Sequence, residues 1–195
     1  MCLASGPSLT LEDVAMVQAW RNDSTARGKR FVVVCNSTFR VALWADALVA
    51  HDPAWWTIHH KEVLATFQGA SVTWSPMPAF KNVDRLERRE VDPKRNTGVG
   101  AICLAAFAGC SEIILLGYDG GPNASGRAHH HPDHPEPLTN CRSYQAWPSR
   151  FLAAAEYASQ RKAQVYNCSR ETRLDCFPRA HLEETLCSFP KNIAS

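Results

Sequence analysis

The sequence predicts an α/β fold built on one mostly parallel sheet with helices on both faces. Short apolar runs at 31–35 (FVVVC) and 112–117 (EIILLG) lack the alternation of a half-solvated strand, as strands buried on both faces do. Val99, Ile102, Cys103, Ala106 and Phe107 fall at helical spacing just before the second run. Strand-like and helix-like stretches alternate along the chain, the pattern of a parallel sheet.

Taken in order, residues 1–4 can form only a very short first strand. Ser5-Gly6-Pro7-Ser8 is then a tight turn, and Thr10 with Asp13 makes a capping-box pattern opening a helix to about Trp20. A turn feeding a helix N-terminus gathers free N–H groups that suit a phosphate. An ordinary strand–helix turn is the other reading of Ser5, Gly6 and Ser8, since no complete glycine-rich phosphate motif is present. Residues 31–35 form the second strand, followed by Asn36, Ser37 and Thr38. Residues 47–50 form the third, ended by His51 and Asp52, and Pro53 suits the first turn of a helix carrying Trp55 and Trp56. Residues 70–74 are a weaker strand. Residues 75–95 are rich in proline and charge, with Arg85, Arg88, Arg89, Lys94 and Arg95, and read as an irregular excursion, either solvated or a basic lid.

The stretch 96–134 organises the rest. Gly98 and Gly100 stand at a helix entrance, where a missing Cβ allows close approach, and Gly109 suits the helix C′ position. The strand at 113–117 leads to Tyr118, Asp119, Gly120 and Gly121, then to a loop dense in histidine. A further helix follows around Phe151 and Ala158, then a strand at 164–167 that reaches Asn167 and Ser169, and a short helix with Leu182 and Leu186. Ligands of open α/β sheets bind at the carboxyl edge of the strands. Polar residues end strand after strand: Ser5/Ser8, Asn36/Ser37, His51/Asp52, Tyr118/Asp119 and Asn167/Ser169. One shared cleft explains this better than five separate turns.

Composition sets bounds. At 195 residues the chain is expected to be a single domain, 1–195, with 75–95 either a solvated excursion or an irregular lid. A formal net charge of +2 gives no broad case for nucleic-acid binding. No apolar run approaches a membrane span, and the N-terminus lacks the basic and apolar regions of a signal peptide. The eight cysteines form no CxxC pair and read as reduced, apolar thiols of a cytoplasmic protein.

With these pieces assembled, the chain resembles the bacterial sialyltransferases that modify lipooligosaccharide and their motility-accessory-factor relatives, above all the small phage-encoded ones. The matching segments are SGPSL at 5–9, CN at 35–36, TGVGAICLAAFAGCSEIILLGYD at 97–119, HHPDH at 130–134 and VYNCSRET at 165–172. The resemblance implies a Rossmann-like fold and a donor sugar activated with cytidine monophosphate, with no further cofactor. It implies a general base at His134, with His130 four residues earlier as second choice, and donor contacts from Asn36 and Thr97. Ser5 and Asp52 stand where the family has asparagine. The two tyrosines that hold the family's leaving phosphate have no counterpart in the short loop 120–129. Some relatives move other groups, including diphosphate onto a small alcohol.

The chemistry required is general. Transfer from a nucleotide sugar needs donors at the leaving phosphate, a base for the acceptor hydroxyl, and alignment. Imidazole suits the base, with an ordinary pKa near 6.5; residues 129–134 otherwise read as a solvated loop. No metal is expected, because His130 and His134 have zinc-like spacing only on a helix and Pro132 interrupts it. Asp119 either holds a ribose or sugar hydroxyl or caps its glycine-rich turn. The expected nucleotide-binding set is Ser5, Gly6, Ser8, Asn36, Ser37, Asp52, Thr97, Gly98, Asp119, Asn167 and Ser169. A nucleotide-dependent transferase is the leading reading. A non-catalytic accessory protein that keeps the nucleotide-binding fold is the other class, and a homo-oligomer is compatible with either. The acceptor is unspecified.

Overall fold

A computed structural model describes residues 1–24, 29–75, 80, 82–86, 96–136, 138 and 144–188. Among these, seven parallel strands form one sheet: β1 (Cys2–Leu3), β2 (Val33–Cys35), β3 (Ala47–Val49), β4 (Ala70–Thr73), β5 (Asp84–Arg85), β6 (Glu112–Leu116) and β7 (Gln164–Asn167). The helices are α1 (Leu11–Asn22), α2 (Pro53–Thr66), α3 (Thr97–Phe107), α4 (Trp147–Gln160) and α5 (Leu182–Ser188). The strand order is β5-β4-β3-β2-β1-β6-β7. The chain builds outward from β1 to β5, crosses back, and adds β6 and β7 on the other side. The order therefore reverses between β1 and β6, the switch point at which Rossmann-like sheets open a crevice.

Period-two side-chain alternation divides the strands between two cores. Cys2, Val33, Cys35, Val49, Ile113 and Leu115 face one layer, with Val99, Ile102 and Ala106 of α3 and Phe151 and Ala154 of α4. Leu3, Val34, Leu48, Ile114 and Leu116 face the other, with Val14 and Val17 of α1, Trp55, Trp56 and Val63 of α2, and Leu182 of α5. Helices thus cover both faces, and the interior strands carry no polar alternation because neither side meets water.

Local chemistry sets the helix ends. Thr10 Oγ1 accepts from the Asp13 N–H at 3.1 Å and Asp13 Oδ2 accepts from the Thr10 N–H at 3.1 Å, closing the capping box of α1. Asp52 caps α2 by accepting from the Ala54 N–H at 2.8 Å, with Pro53 in the first turn. Asn96 caps α3 through the Val99 N–H at 3.1 Å. Gly109, at φ +85°, ends α3 in the left-handed conformation.

Several boundaries differ from expectation. Residues 31 and 32 precede β2, and β6 stops at Leu116 because Gly117 turns to φ +69°. Asn36 and Ser37 open a 3₁₀ helix, Asn36–Val41, rather than simply ending a strand. Helix α4 begins at Trp147, earlier than Phe151. The expected lid at 75–95 contains edge strand β5, but 76–79, 81 and 87–95 lie outside the described residues, and with them Arg88, Arg89, Lys94 and Arg95.

Among the described residues the seven cysteines at 2, 35, 103, 110, 168, 176 and 187 form no disulfide; Cys141 lies outside the described residues. Burial pushes the Cys2 thiol up to about 11. Among the described residues, no helix is long and apolar enough to cross a membrane.

Candidate functional site

The loop after β1 is pinned to the loop after β6. Gly6 donates its N–H to the Gly117 carbonyl at 2.9 Å. Asp119 receives the Ser8 N–H on Oδ2 and the Ser8 hydroxyl on Oδ1, each at 2.7 Å. A Cβ on Gly6 would stand 2.4 Å from both Asp119 Oδ1 and the Gly117 carbonyl oxygen, so only glycine permits this approach. Asp119 is 5% exposed, and burial pushes its carboxyl up to about 6 against the opposing pull of the Ser8 bonds.

These two loops form part of the wall of a cavity of about 550 Å³ at the carboxyl edge of the sheet. Ser5 and Gly6 come from the end of β1, Asn36 from β2, Asp52 from β3, Thr97 and Gly98 from the start of α3, and Asp119 from the end of β6. His134 lines the same cavity. Residues far apart in sequence meet here because parallel strands send every carboxyl end to one edge.

Asn36 sits at φ +48°, a left-handed conformation uncommon for a residue with a Cβ. Its Oδ1 is buried and has no hydrogen-bond partner among the described residues. Asn36 thus contributes to the cavity wall while its amide oxygen is buried within that wall.

Five expected residues are not on this wall, each because its polar atoms are used within the fold. Ser8 is held by Asp119. Ser37 Oγ accepts from the Trp55 indole N–H at 3.2 Å. Asn167 donates from Nδ2 to the Tyr118 carbonyl at 3.3 Å, and its Oδ1 accepts from the Ser169 N–H at 3.0 Å. Ser169 Oγ accepts from the Tyr118 N–H at 2.8 Å and borders a separate cavity of about 330 Å³ beside Arg170 and Arg179. The expectation that Ser169 joins the shared cleft is thus corrected: β7 is the far edge strand, and its terminal residues brace the back of β6.

His130 is the fifth. Its N–H donates to the Ser5 carbonyl at 3.1 Å and its Nε2 lies 3.3 Å from Thr38 Oγ1, which is 3.0 Å from Ser5 Oγ. Burial and the neighbouring His131, His129 and Arg127 lower its imidazole to about 4. His130 therefore anchors the loop to the sheet edge. His134 is lowered for the same leading reason, burial, then by His59 and Arg40, with Asp133 and Asp52 pulling the other way. It is neutral near pH 7 and able to accept a proton. Among the described residues no group of three His, Cys, Asp or Glu side chains has metal-binding geometry.

The cavity has a second wall that sequence reasoning missed. Tyr144, Trp147 and Phe151 line it, with Leu138; His51 and Tyr118, expected at the cleft as strand ends, and His129 line the cavity too. Tyr144 and Trp147 pack edge to face at 4.8 Å between centroids, and Tyr118 meets Phe151 at 5.8 Å. The spacing of 144, 147 and 151 was the available signal, an aromatic stripe entering α4. Trp55 also lines the cavity, whereas Trp56 is fully buried, its indole N–H on the Ala50 carbonyl at 2.9 Å. No protein-family model matches the chain, and no curated protein or solved structure matches it either, so the site is defined by its own geometry alone.

Proposed function

We propose that the chain is a nucleotide-dependent transferase, a glycosyltransferase that takes a sugar activated with cytidine monophosphate, with His134 as general base. The observation that carries the reading is the convergence of Ser5, Asn36, Thr97 and Asp119 on one cavity at the switch point, with a neutral imidazole on the same wall. In this reading Asn36, which lines the cavity, contacts the donor nucleotide. The α3 N-terminus, capped by Asn96 and entered through Thr97 and Gly98, offers N–H groups and a favourable dipole to the leaving phosphate. The aromatic wall of Tyr144, Trp147 and Phe151 gives the flat faces of a base or sugar an apolar surface.

In the transfer step the acceptor hydroxyl attacks the anomeric carbon, the bond from that carbon to the phosphate oxygen breaks, and His134 takes the hydroxyl proton. The nucleoside monophosphate leaves with the bonding electron pair. Asp119 serves by holding Ser8, and so the Ser5–Ser8 turn, in place. The acceptor is a hydroxyl compound, and transfer of diphosphate to a small alcohol is the same attack on a different electrophile.

A non-catalytic nucleotide-binding role is the second reading. It is favoured by the weakened basicity of His134, led by its burial and furthered by His59 and Arg40. Incubation with CMP-activated sugars, with and without a panel of hydroxyl acceptors, separates the two. Released CMP supports the transferase; tight CMP binding with no release from any donor supports the second reading.

A further inference from the structure

Four imidazoles of the loop after β6 are packed ring against ring. His131 is the hub: its centroid lies 4.8 Å from His129, 5.1 Å from His130 and 5.2 Å from His134, and His129 lies 5.1 Å from His134. Contacts this close suit neutral rings and are poor for imidazolium ions, which repel at such distances.

Charged groups from three elements surround the rings. Arg40, from the 3₁₀ helix, and His59, from α2, bear on His134, and Arg40 also bears on His131. Arg127, from the loop itself, bears on His130 and His131 and donates to the His130 carbonyl. Three carboxylates stand near. Glu62 of α2 is already engaged by Arg40 through two bonds of 2.6 and 2.5 Å. Asp52 caps α2, and Asp133 and Asp52 pull the other way on His134. Arg40 and Glu62 offset one another, so the repulsion that protonation creates is chiefly the one the rings exert on each other across 4.8–5.2 Å.

The same loop forms cavity wall through His129 and His134 and is tied to the sheet edge through His130. We infer that the histidine loop is an acid-operated wall: while its rings are neutral the loop keeps the shape in which His130 is tied to Ser5 and Thr38, and protonation sets ring against ring, breaks that tie and opens the cavity. The lowered basicity of His130, His131 and His134, led in each case by burial, fits a cluster kept neutral near pH 7. The sign follows: these groups take up protons more readily once released, so acidification favours the open form. The inference does not depend on which ligand the cavity takes.

Hydrogen exchange read by mass spectrometry tests it on the unliganded protein. Protection is corrected for the intrinsic pH dependence of exchange. Between about pH 7.5 and about pH 5, protection of residues 127–134, which include the His130 amide bonded to Ser5, should fall by at least roughly tenfold while β6 stays protected. His131→Phe keeps an aromatic hub without a titrating nitrogen and should move the loss to lower pH. Added salt, which screens the repulsion, should restore part of the protection in the unmutated protein. Asp119 also titrates near 6 but holds Ser8 rather than this loop, so a loss governed by it would be indifferent to His131→Phe. Unchanged protection of 127–134 down to about pH 5 would overturn the inference. So would simultaneous loss in β6, or a His131→Phe transition at the unmutated pH with no effect of salt.

Discussion

Asp119 and Ser8, 111 positions apart in sequence, are joined by two hydrogen bonds of 2.7 Å, one from the Ser8 backbone and one from its hydroxyl. Through them the loop after β6 fixes the turn after β1, and both border the cavity. Asp119→Ala should destabilise the fold by about 1–3 kcal/mol, the cost of leaving part-buried donors unpaired, and Asp119→Asn by less, since an amide oxygen still accepts one of them. The pH dependence has a definite sign. The folded carboxyl is raised to about 6, so below its unfolded value of about 3.9 its contribution is fully present, and it is lost as pH rises through about 6. The stability difference between Asp119→Asn and the unmutated protein should therefore move in the variant's favour between about pH 4 and about pH 6, then level off. Urea denaturation midpoints across that range measure it.

Gly6→Ala places a Cβ 2.4 Å from the same carboxylate and from the Gly117 carbonyl. Neither neighbour can yield without giving up a bond that pins the turn. The loss of stability should exceed the roughly 1 kcal/mol typical of point substitutions. Thermal unfolding of the purified variant checks this; a midpoint equal to that of the unmutated protein contradicts the close approach.

Asn36 separates binding from stability. Asn36→Gly suits φ +48° and removes the unsatisfied buried oxygen, so the fold should be unharmed. If the Asn36 side chain contacts the nucleotide, affinity for CMP should drop by about tenfold in the variant, the equivalent of about 1.4 kcal/mol. Calorimetric titration of both proteins decides it; equal affinities would remove Asn36 from the binding set.

Much of this was legible in the chain, for physical reasons that differ by element. The runs at 31–35 and 112–117 read as buried strands because a sheet covered on both faces leaves no polar alternation. Val99, Ile102 and Ala106 read as a helix because their face packs on that sheet. Thr10 with Asp13, and Pro53, revealed helix starts because the chemistry of a first turn is local, whereas the capping role of Asp52 emerged only in the structure. The direction taken by polar side chains after the strands was not local. Ser169 and Asn167 have the same composition signal as Ser5 and Asn36, yet they spend their polar atoms on Tyr118 and its neighbours. Tyr144 and Trp147 reach the cavity only because α4 packs beside α3.

His134→Ala tests the proposed chemistry. Loss of a general base should lower donor turnover by roughly 10²–10⁴-fold. CMP affinity should barely change, because the base acts on the acceptor. His130→Ala should act differently: it removes a loop anchor to Thr38 and should loosen the loop with a smaller effect on turnover. A donor-hydrolysis assay on both variants, beside calorimetry, distinguishes the roles. Undiminished turnover in His134→Ala would remove it from the mechanism.

The central claim is that the cavity binds a cytidine nucleotide, and a thermal-shift comparison of CMP, CDP, UDP and ATP with CMP-activated sugars tests it most directly. A ligand at about a hundred times its dissociation constant stabilises the native state by about 2.7 kcal/mol, roughly 5–10 °C for a chain of this size. The account predicts a rise of that order with CMP or a CMP-activated sugar, smaller with the other nucleotides and diminished in Asn36→Gly. No shift with any cytidine nucleotide at millimolar concentration, or an equal shift with UDP and ATP, would contradict it.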